Sequence, residues 1–325
     1  MIQANGCWRT AAGTRPPSPP SRGGRPSQDL PTRVTCGAKS EEATPVSTFF
    51  LVLLVIAVGG FFALRWFEGL PNKKKKKWFT KSVNRYFVVL ENLGLLKRTE
   101  AFDHDYHRQY PGLDRLEANY ADVREECLAL LGIKDQLTDM TALGAGYTNG
   151  GIHTAQWKAF MFKSGNRFIE ENCVQAPKTT ALLKGIPGME TAFFSILDPR
   201  QYITPHWGYY KGYMRYHLGV IIPDNNAEAR CWLRVNDNVA QNALKDKDQI
   251  EFGKKYHWHD GEGIVFDDNY LHDASNESDQ VRVVLWLDLR RKMPFYASLF
   301  NRFVLWLAGR DKSVEKIRQK ATVNA

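Results

Sequence analysis

The apolar residues of this chain change their spacing at about residue 141, and this change most limits the possible folds. Beyond it the apolar residues form short β-branched and aromatic runs at 202–204, 213–222, 231–235, 263–266 and 281–289. Turn-forming clusters at 223–226 and 275–279 separate these runs. Short strands with turn-rich connections are typical of an antiparallel sandwich or a jelly roll. The sequence has neither βαβ alternation nor a phosphate-binding glycine loop. We therefore expect residues 141–290 to form a jelly roll, a double-stranded β-helix, in a mainly β protein with flanking helices.

The residues in front of this β domain keep helical spacing. Apolar side chains recur every three or four positions at Tyr86, Val89, Leu90 and Leu93, and again at Leu113, Leu116, Tyr120, Val123, Cys127 and Leu130. Charged residues fill the positions between them, as on an amphipathic helix. We predict two or three helices here, which makes residues 87–140 a helical region.

The N-terminal part divides into a polar leader and an uncharged run. Residues 1–46 are rich in Gly, Pro, Ser and Arg, and we expect them to be disordered or, alternatively, to be an untranslated leader. Residues 47–64 contain no charged side chain and are long enough to cross a bilayer. A buried core helix or a cleaved signal is the alternative. The run ends in Phe-Phe-Ala-Leu-Arg-Trp-Phe and not in a small-residue cleavage site, which favours a retained transmembrane helix.

Basic residues flank both ends of the predicted β domain. The chain has a formal charge of +9, and the excess is concentrated in residues 65–86, 290–325 and the leader, whereas residues 87–289 are net acidic. An acidic centre disfavours nucleic-acid binding. Five consecutive lysines occupy 73–77 within a predicted juxtamembrane linker, 65–86. By the positive-inside rule they indicate a single-pass protein of the inner, cytoplasmic membrane whose catalytic domain is cytoplasmic.

The C-terminal segment, 291–325, combines apolar and basic residues. Its apolar stretch, 295–308, is too short to span a bilayer comfortably. We predict a membrane-proximal helix that lies in the interface, and a helix packed on the domain is the alternative.

The five cysteines contain no CxxC pair, so a thiolate zinc site is not expected.

Candidate functional residues cluster in the predicted strands. His217 lies within a strand, in Arg-Tyr-His-Leu-Gly at 215–219, and His272 precedes the strand at 281–289. Ten residues after His272, Arg282 stands alone among apolar neighbours. An arginine at an inward position needs an anionic partner, and a bound dicarboxylate could supply it.

Taken together, these motifs resemble the aspartyl/asparaginyl β-hydroxylase family. The resemblance rests on His-Trp-Gly at 206–208, the segment 215–219, Phe-Asp-Asp at 266–268, His272 and Arg282, and it covers about residues 145–290. It implies an iron(II)- and 2-oxoglutarate-dependent dioxygenase that uses O₂. Within the family, the anchor, the cytoplasmic body and the basic C-terminal segment are most similar to bacterial lipid A 2-hydroxylases.

The resemblance implies a role for each matching residue. His217 and His272 would be the catalytic metal ligands that bind Fe(II), and Arg282 would bind the distal carboxylate of 2-oxoglutarate. His206 and Arg234 would make further co-substrate contacts. His217 is followed at the second position by Gly219 and not by a carboxylate, so this chain lacks the common His-x-Asp/Glu pattern. We expect Asp267 and Asp268 to lie outside direct contact with the metal.

Three functions remain open at this point. The first is hydroxylation of a lipid A acyl chain at its α-carbon in the inner leaflet, which explains an enzyme kept at the bilayer. The second is hydroxylation of peptidyl aspartate or asparagine at the same iron site. The third is a non-catalytic, membrane-anchored jelly-roll binding module, which the presence of both histidines and Arg282 disfavours. The sequence does not indicate an oligomeric state.

Overall fold

The structure, a computed structural model, describes residues 72–143 and 156–323. The predicted leader 1–46 and the predicted transmembrane helix 47–64 lie outside the described residues. All described residues belong to one unit, Gly69–Ala325. No helix within the described residues is both long enough and apolar enough to cross a membrane.

The strands are short, as the turn-rich sequence predicts. In chain order they are β1 (Phe102–Asp103), β2 (Thr138–Asp139), β3 (Trp157–Ser164), β4 (Arg167–Phe168), β5 (Met189–Leu197), β6 (Gln201–His206), β7 (Tyr213–Ile221), β8 (Cys231–Val235), β9 (Lys254–His257), β10 (Gly263–Phe266), β11 (His272–Asn276) and β12 (Arg282–Arg290). Every strand pair recorded for the described residues is antiparallel.

The strands from β5 to β12 form a jelly roll, which confirms the predicted fold of this region. In the larger sheet the order is β1-β10-β7-β12-β5-β3-β2, with β4 beside β3, and in the smaller sheet it is β6-β11-β8-β9. From β5 to β12 each strand therefore lies in the other sheet from the one before it, except that β8 and β9 are both in the smaller sheet; such switching is typical of interleaved Greek keys. The apolar side chains between the sheets, among them Phe193, Leu233 and Trp286, form one core cluster.

Several of the helices pack against one face of the larger sheet. The helices are α1 (Asn72–Asn92), α2 (Tyr106–Gln109), α3 (Leu113–Ala118), α4 (Tyr120–Leu131), α5 (Glu170–Cys173), α6 (Pro177–Lys184), α7 (Val239–Ala243), α8 (Phe295–Gly309) and α9 (Lys312–Ala321). Five residues of the second predicted stripe are buried and pack with Phe194 and Leu285 of the sheet, namely Leu113, Leu116, Val123, Cys127 and Leu130. The sixth, Tyr120, is only half-buried.

Helix α1 differs from the sequence-based expectation in two ways. The lysines at 73–77, which we expected in a linker, lie in the first turns of α1. Its buried face is Val83, Phe87 and Leu90, whereas the expected core residues Tyr86, Val89 and Leu93 are exposed. The C-terminal segment also divides into two helices, α8 and α9, because Asp311 caps the second by accepting from the backbone N–H of Ser313.

Candidate active site

A cavity between the two sheets contains several of the predicted site residues. It encloses about 360 Å³, including its open mouth. Aromatic side chains form much of its wall, and the polar side chains that line it are Ser195, His206, Arg215, His217, His272 and Arg282. Four of the five predicted site residues therefore meet in one place, although 76 positions separate the first of them from the last.

His206 and His272 lie side by side on neighbouring strands of the smaller sheet. They are register partners of β6 and β11, and their ring centroids are 4.1 Å apart. The Nδ1 of His206 is 2.7 Å from the carbonyl oxygen of Thr204, and the Nδ1 of His272 is 2.9 Å from that of Tyr270. A carbonyl oxygen only accepts, so Nδ1 carries the proton in each ring. Each Nε2 is then left with a free lone pair.

Burial also keeps these imidazoles neutral. It lowers the pKa of His206 to about 4 and that of His272 well below the usual range, with neighbouring positive or imidazole groups acting in the same direction. A metal binds the unprotonated nitrogen, and ligating histidines commonly donate their other N–H to a carbonyl. Paired in this way, the two side chains have the chemistry of metal ligands.

His217 reaches the cavity from the opposite wall. It lies on β7, in register with Trp286 of β12, and its ring is surrounded by Trp258, Phe266 and Trp286. Burial lowers its pKa well below the usual range. Neither ring nitrogen has a hydrogen-bond partner among the described residues. An unpaired polar group in a dry environment is costly, which indicates that something else binds here.

Arg282 is fully buried in the same cavity, as its position among apolar neighbours predicts. It is 2% exposed, its guanidinium lies 4.7 Å from the ring centroid of Trp258, and its Nε has no hydrogen-bond partner among the described residues. Burial lowers its pKa to about 10, so it remains charged. No carboxylate within the described part of the chain forms an ion pair with it, which leaves this cation available for an anionic ligand.

Ser195 and Arg215 also line the cavity, and neither is among the predicted site residues. Ser195 accepts a hydrogen bond of 2.8 Å from the indole N–H of Trp157. Arg215 pairs with Asp268 at 2.8 Å and Asp288 at 3.2 Å, and stacks on Trp286 at 3.8 Å. Strand alternation was the available signal for Arg215, because it lies two positions before His217 and so on the same face.

Arg234 does not join this group, contrary to the predicted co-substrate contact. Its neighbour Leu233 lines the cavity, and alternation along β8 turns Arg234 to the other face. There it forms a two-pronged ion pair with the fully buried Asp273, at 3.0 and 2.6 Å. Arg234 therefore neutralises a carboxylate of the smaller sheet.

The two aspartates near His272 have structural partners of their own. Asp267 accepts from the backbone N–H of Asn269 at 2.9 Å and closes a turn, and Asp268 pairs with Arg215. Burial raises the pKa of Asp268 to about 7, although Arg215 acts in the opposite direction. No cluster of three or more His, Cys, Asp or Glu side chains suited to a metal ion occurs in residues 72–143 and 156–323.

The donor set nonetheless fits the iron site that the family resemblance implies. Two neutral imidazoles with free Nε2 atoms lie together, and a metal held by two protein ligands would have positions open for other molecules. The unpaired Nε of Arg282 and the unpaired nitrogens of His217 are buried polar atoms that a dicarboxylate could satisfy. The polar lining of the cavity is thus chemically compatible with both a metal and an anionic co-substrate.

Comparison with known proteins identifies the family of this chain. The model of the family "Aspartyl/Asparaginyl beta-hydroxylase" matches residues 117–292, which is more than half of the chain. An ornithine lipid ester-linked acyl 2-hydroxylase of Rhizobium tropici is 30% identical over 197 residues, 61% of this chain and 62% of that protein. The human aspartyl/asparaginyl beta-hydroxylase is 27% identical over 181 residues, 54% of this chain and 20% of that protein. The chain therefore belongs to the aspartyl/asparaginyl β-hydroxylase family.

Proposed function

We propose that this chain is an Fe(II)- and 2-oxoglutarate-dependent dioxygenase that hydroxylates a fatty acyl chain of a membrane lipid at its α-carbon. The observation that carries this proposal is the meeting, in one cavity, of two adjacent neutral imidazoles and a buried arginine without a carboxylate partner. The shared family and the lipid hydroxylase relative support the same reaction class.

The geometry favours His206 and His272 as the residues that would hold the iron. Their Nδ1–H groups are fixed on backbone carbonyls, which orients both rings and leaves each Nε2 free. In the sequence-based prediction, His217 and His272 bind the iron and His206 contacts the co-substrate. We propose instead that His206 binds the iron. His217, on the opposite wall, is then a co-substrate contact.

Arg282 would bind the distal carboxylate of 2-oxoglutarate. Its buried guanidinium offers a fixed fork of donors, and the Ser195 hydroxyl, which accepts from Trp157, keeps its own proton to donate. Arg215 is held by two aspartates and contributes a fixed positive charge on the same wall. These side chains would anchor the co-substrate at one end.

Aromatic side chains form the remaining wall of the cavity and would surround the reacting atoms. When bound, iron, 2-oxoglutarate and O₂ would together supply the oxidising chemistry that inserts one oxygen atom into a C–H bond. Trp157, Trp258, Phe266 and Trp286 line the cavity and exclude water from it. A wall of this kind suits an apolar acyl chain.

The proposed substrate is lipid A in the inner leaflet, and we propose the inner membrane as the location. The R. tropici relative is named as a hydroxylase of the 2-position of an ester-linked acyl group of an ornithine lipid. The proposed reaction modifies the same position of an acyl chain. Peptidyl aspartate or asparagine is the second candidate, which the human relative favours. These candidates differ in the molecule that carries the new hydroxyl group.

Mass spectrometry of lipids from matched cells tests the function. Cells that express the full chain should contain lipid A, or another lipid, with a 2-hydroxylated acyl chain, and cells with the His272→Ala variant should not. The control is Leu183→Ala, which truncates a side chain that is buried like His272 but lies outside the cavity. It tests whether a lower amount of folded protein alone changes the lipids. The second candidate would be favoured if cells with the unmodified chain and cells with His272→Ala had identical lipids, and if the unmodified chain hydroxylated an Asp- or Asn-containing peptide.

A further inference from the structure

Helix α8 has a continuous apolar stripe on its outer face. Phe295, Leu299, Phe303 and Trp306 are 82%, 57%, 54% and 52% exposed, and their spacing of four, four and three residues puts them on one face. The opposite face packs Ala297, Val304 and Leu305 against α1. The side chains of the stripe thus do not contribute to packing the helix on the rest of the protein.

Helix α1 and the residues directly after it extend this apolar face. Val89, Leu93 and Leu95 are 45%, 66% and 52% exposed. Two contacts join them to α8: the rings of Tyr86 and Phe300 lie 4.6 Å apart, and the Tyr296 hydroxyl donates to the Leu95 carbonyl. We call the side chains of Val89, Leu93, Leu95, Phe295, Leu299, Phe303 and Trp306 the α1–α8 surface. Single exposed apolar side chains are ordinary, but a contiguous group marks an interaction site.

Positive charge borders the α1–α8 surface. Lys74 and Lys77 are exposed on α1, and Arg302 and Arg310 are exposed on or directly after α8. Arg310 lies over the ring of Trp306 at 3.6 Å, so a cation accompanies the aromatic edge. Apolar side chains fringed by Lys and Arg match the acyl and headgroup layers of an anionic bilayer. A second copy of the same surface would bring like charges together, which disfavours self-association.

The same two helices hold the loop that follows His206. From α1, Asn84 donates to the Tyr209 carbonyl at 3.0 Å and accepts from the Lys211 backbone N–H at 2.9 Å. From α8, Asn301 accepts from the Tyr210 hydroxyl at 2.5 Å and donates to the Gly212 carbonyl at 2.9 Å. The segment 207–212 leads directly from the cavity-lining His206 to β7. One short loop therefore connects helices α1 and α8 to the cavity.

We infer that the α1–α8 surface inserts into the interface of an anionic bilayer and brings the cavity to the acyl chains there. Helix α8 has 15 residues and so a length of about 22 Å, which is too short to cross and suits a helix lying flat. The insertion is argued from the surface alone. Its use in substrate supply rests on the proposed lipid hydroxylation.

Fluorescent labels at single cysteines test the insertion in the full chain. In a background with Cys7→Ser and Cys36→Ser, an environment-sensitive dye is attached at Leu299→Cys or Phe303→Cys. The remaining cysteines, Cys127, Cys173 and Cys231, are buried. A matched control is Leu128→Cys, which replaces a 48% exposed leucine on α4. The protein is reconstituted into vesicles of phosphatidylethanolamine and phosphatidylglycerol, with and without brominated acyl chains.

We expect a blue shift and quenching by brominated lipid at positions 299 and 303 and neither effect at 128. Equal responses at 299 and 128, or a dye at 299 that stays in water, would overturn the inference. A blue shift at 299 that depends on protein concentration in detergent without vesicles would also overturn it, because a second copy would then cover the surface.

A second variant separates this inference from the proposed function. Leu299→Ser with Phe303→Ser should reduce hydroxylation of vesicle lipid about tenfold, because two apolar contacts with the bilayer are lost. Leu128→Ser should not, and 2-oxoglutarate turnover without lipid should be equal in all three proteins. Label insertion without lipid hydroxylation would support the docking surface and reject the lipid substrate. Unchanged lipid hydroxylation in the double variant would overturn the role of docking in substrate supply.

Discussion

The imidazole rings of His206 and His272 lie 4.1 Å apart, on two antiparallel strands of the smaller sheet. Sixty-six positions separate these residues along the chain, and strand pairing alone brings them together. Each ring donates its Nδ1 proton to a nearby backbone carbonyl. The pair is therefore oriented by the backbone, and its two Nε2 atoms are the natural place for a metal ion.

Removing either member of this pair should strongly weaken metal binding. We expect His206→Ala and His272→Ala to weaken Fe(II) affinity by at least about a hundredfold, since loss of supporting contacts alone costs up to that factor. Anaerobic equilibrium dialysis measures the bound metal, and circular dichroism checks that each variant is folded. A His206→Ala protein with wild-type iron affinity would contradict the pairing.

The variant His217→Ala distinguishes our assignment from the one that the sequence predicts. We expect it to retain iron, because its ring lies on the opposite wall, and to raise the KM for 2-oxoglutarate. Dialysis and steady-state kinetics on the same preparation give both values. Loss of iron in His217→Ala together with normal iron in His206→Ala would restore the original assignment of His217 and His272.

Arg282 should act on the co-substrate and not on the metal. Its replacement by leucine would leave a carboxylate of 2-oxoglutarate without its charged partner, a loss of about 2–5 kcal/mol or at least thirtyfold in KM. Iron affinity should be unchanged. Arg282→Lys should recover only part of the affinity, because a lysine keeps the charge but loses the two-pronged geometry. An unchanged KM for Arg282→Leu would mean that this arginine has a purely structural role.

Arg234 should affect stability instead. Its removal leaves Asp273 buried and unpaired, apart from the 2.6 Å hydrogen bond from the Tyr202 hydroxyl. We expect Arg234→Ala to lower the free energy of unfolding by about 3 kcal/mol. The KM for 2-oxoglutarate of the folded variant should not change. Urea unfolding and steady-state kinetics measure the two quantities, and a large rise in KM at unchanged stability would restore the predicted contact.

The sequence predicted the jelly roll from short β-branched and aromatic runs separated by turn clusters, and these runs correspond to β6, β7, β8, β10 and β12. It missed β3, β5 and β9. In β5 both faces are buried: Phe193 faces the inter-sheet core and Phe194 faces the helices. It also interpreted part of β11 as a turn, because His272–Asn276 is a polar strand whose buried side chains are satisfied by specific partners such as Arg234 and Leu197.

A site residue was predictable where its residue type is unusual in its strand. It was not predictable where its role depends on which strands pair. Arg282 was recognisable as a lone charge in an apolar strand. The partnership of His206 with His272 depends on which strand lies beside β11, and the residue sequence does not indicate this. Arg234 shows the converse error, since one step along β8 separates the cavity face from the outer face.

The most direct test of the central claim is the fate of oxygen in a reaction with purified protein. The full chain, loaded with Fe(II), is incubated with 2-oxoglutarate, heavy-isotope O₂ and vesicles that contain lipid A. We predict one heavy oxygen atom at the 2-position of an acyl chain and one succinate for each hydroxyl formed, with neither product from the His272→Ala protein. Succinate formed without any labelled acyl chain, or label found only in an added Asp- or Asn-containing peptide, would contradict the proposed lipid hydroxylation.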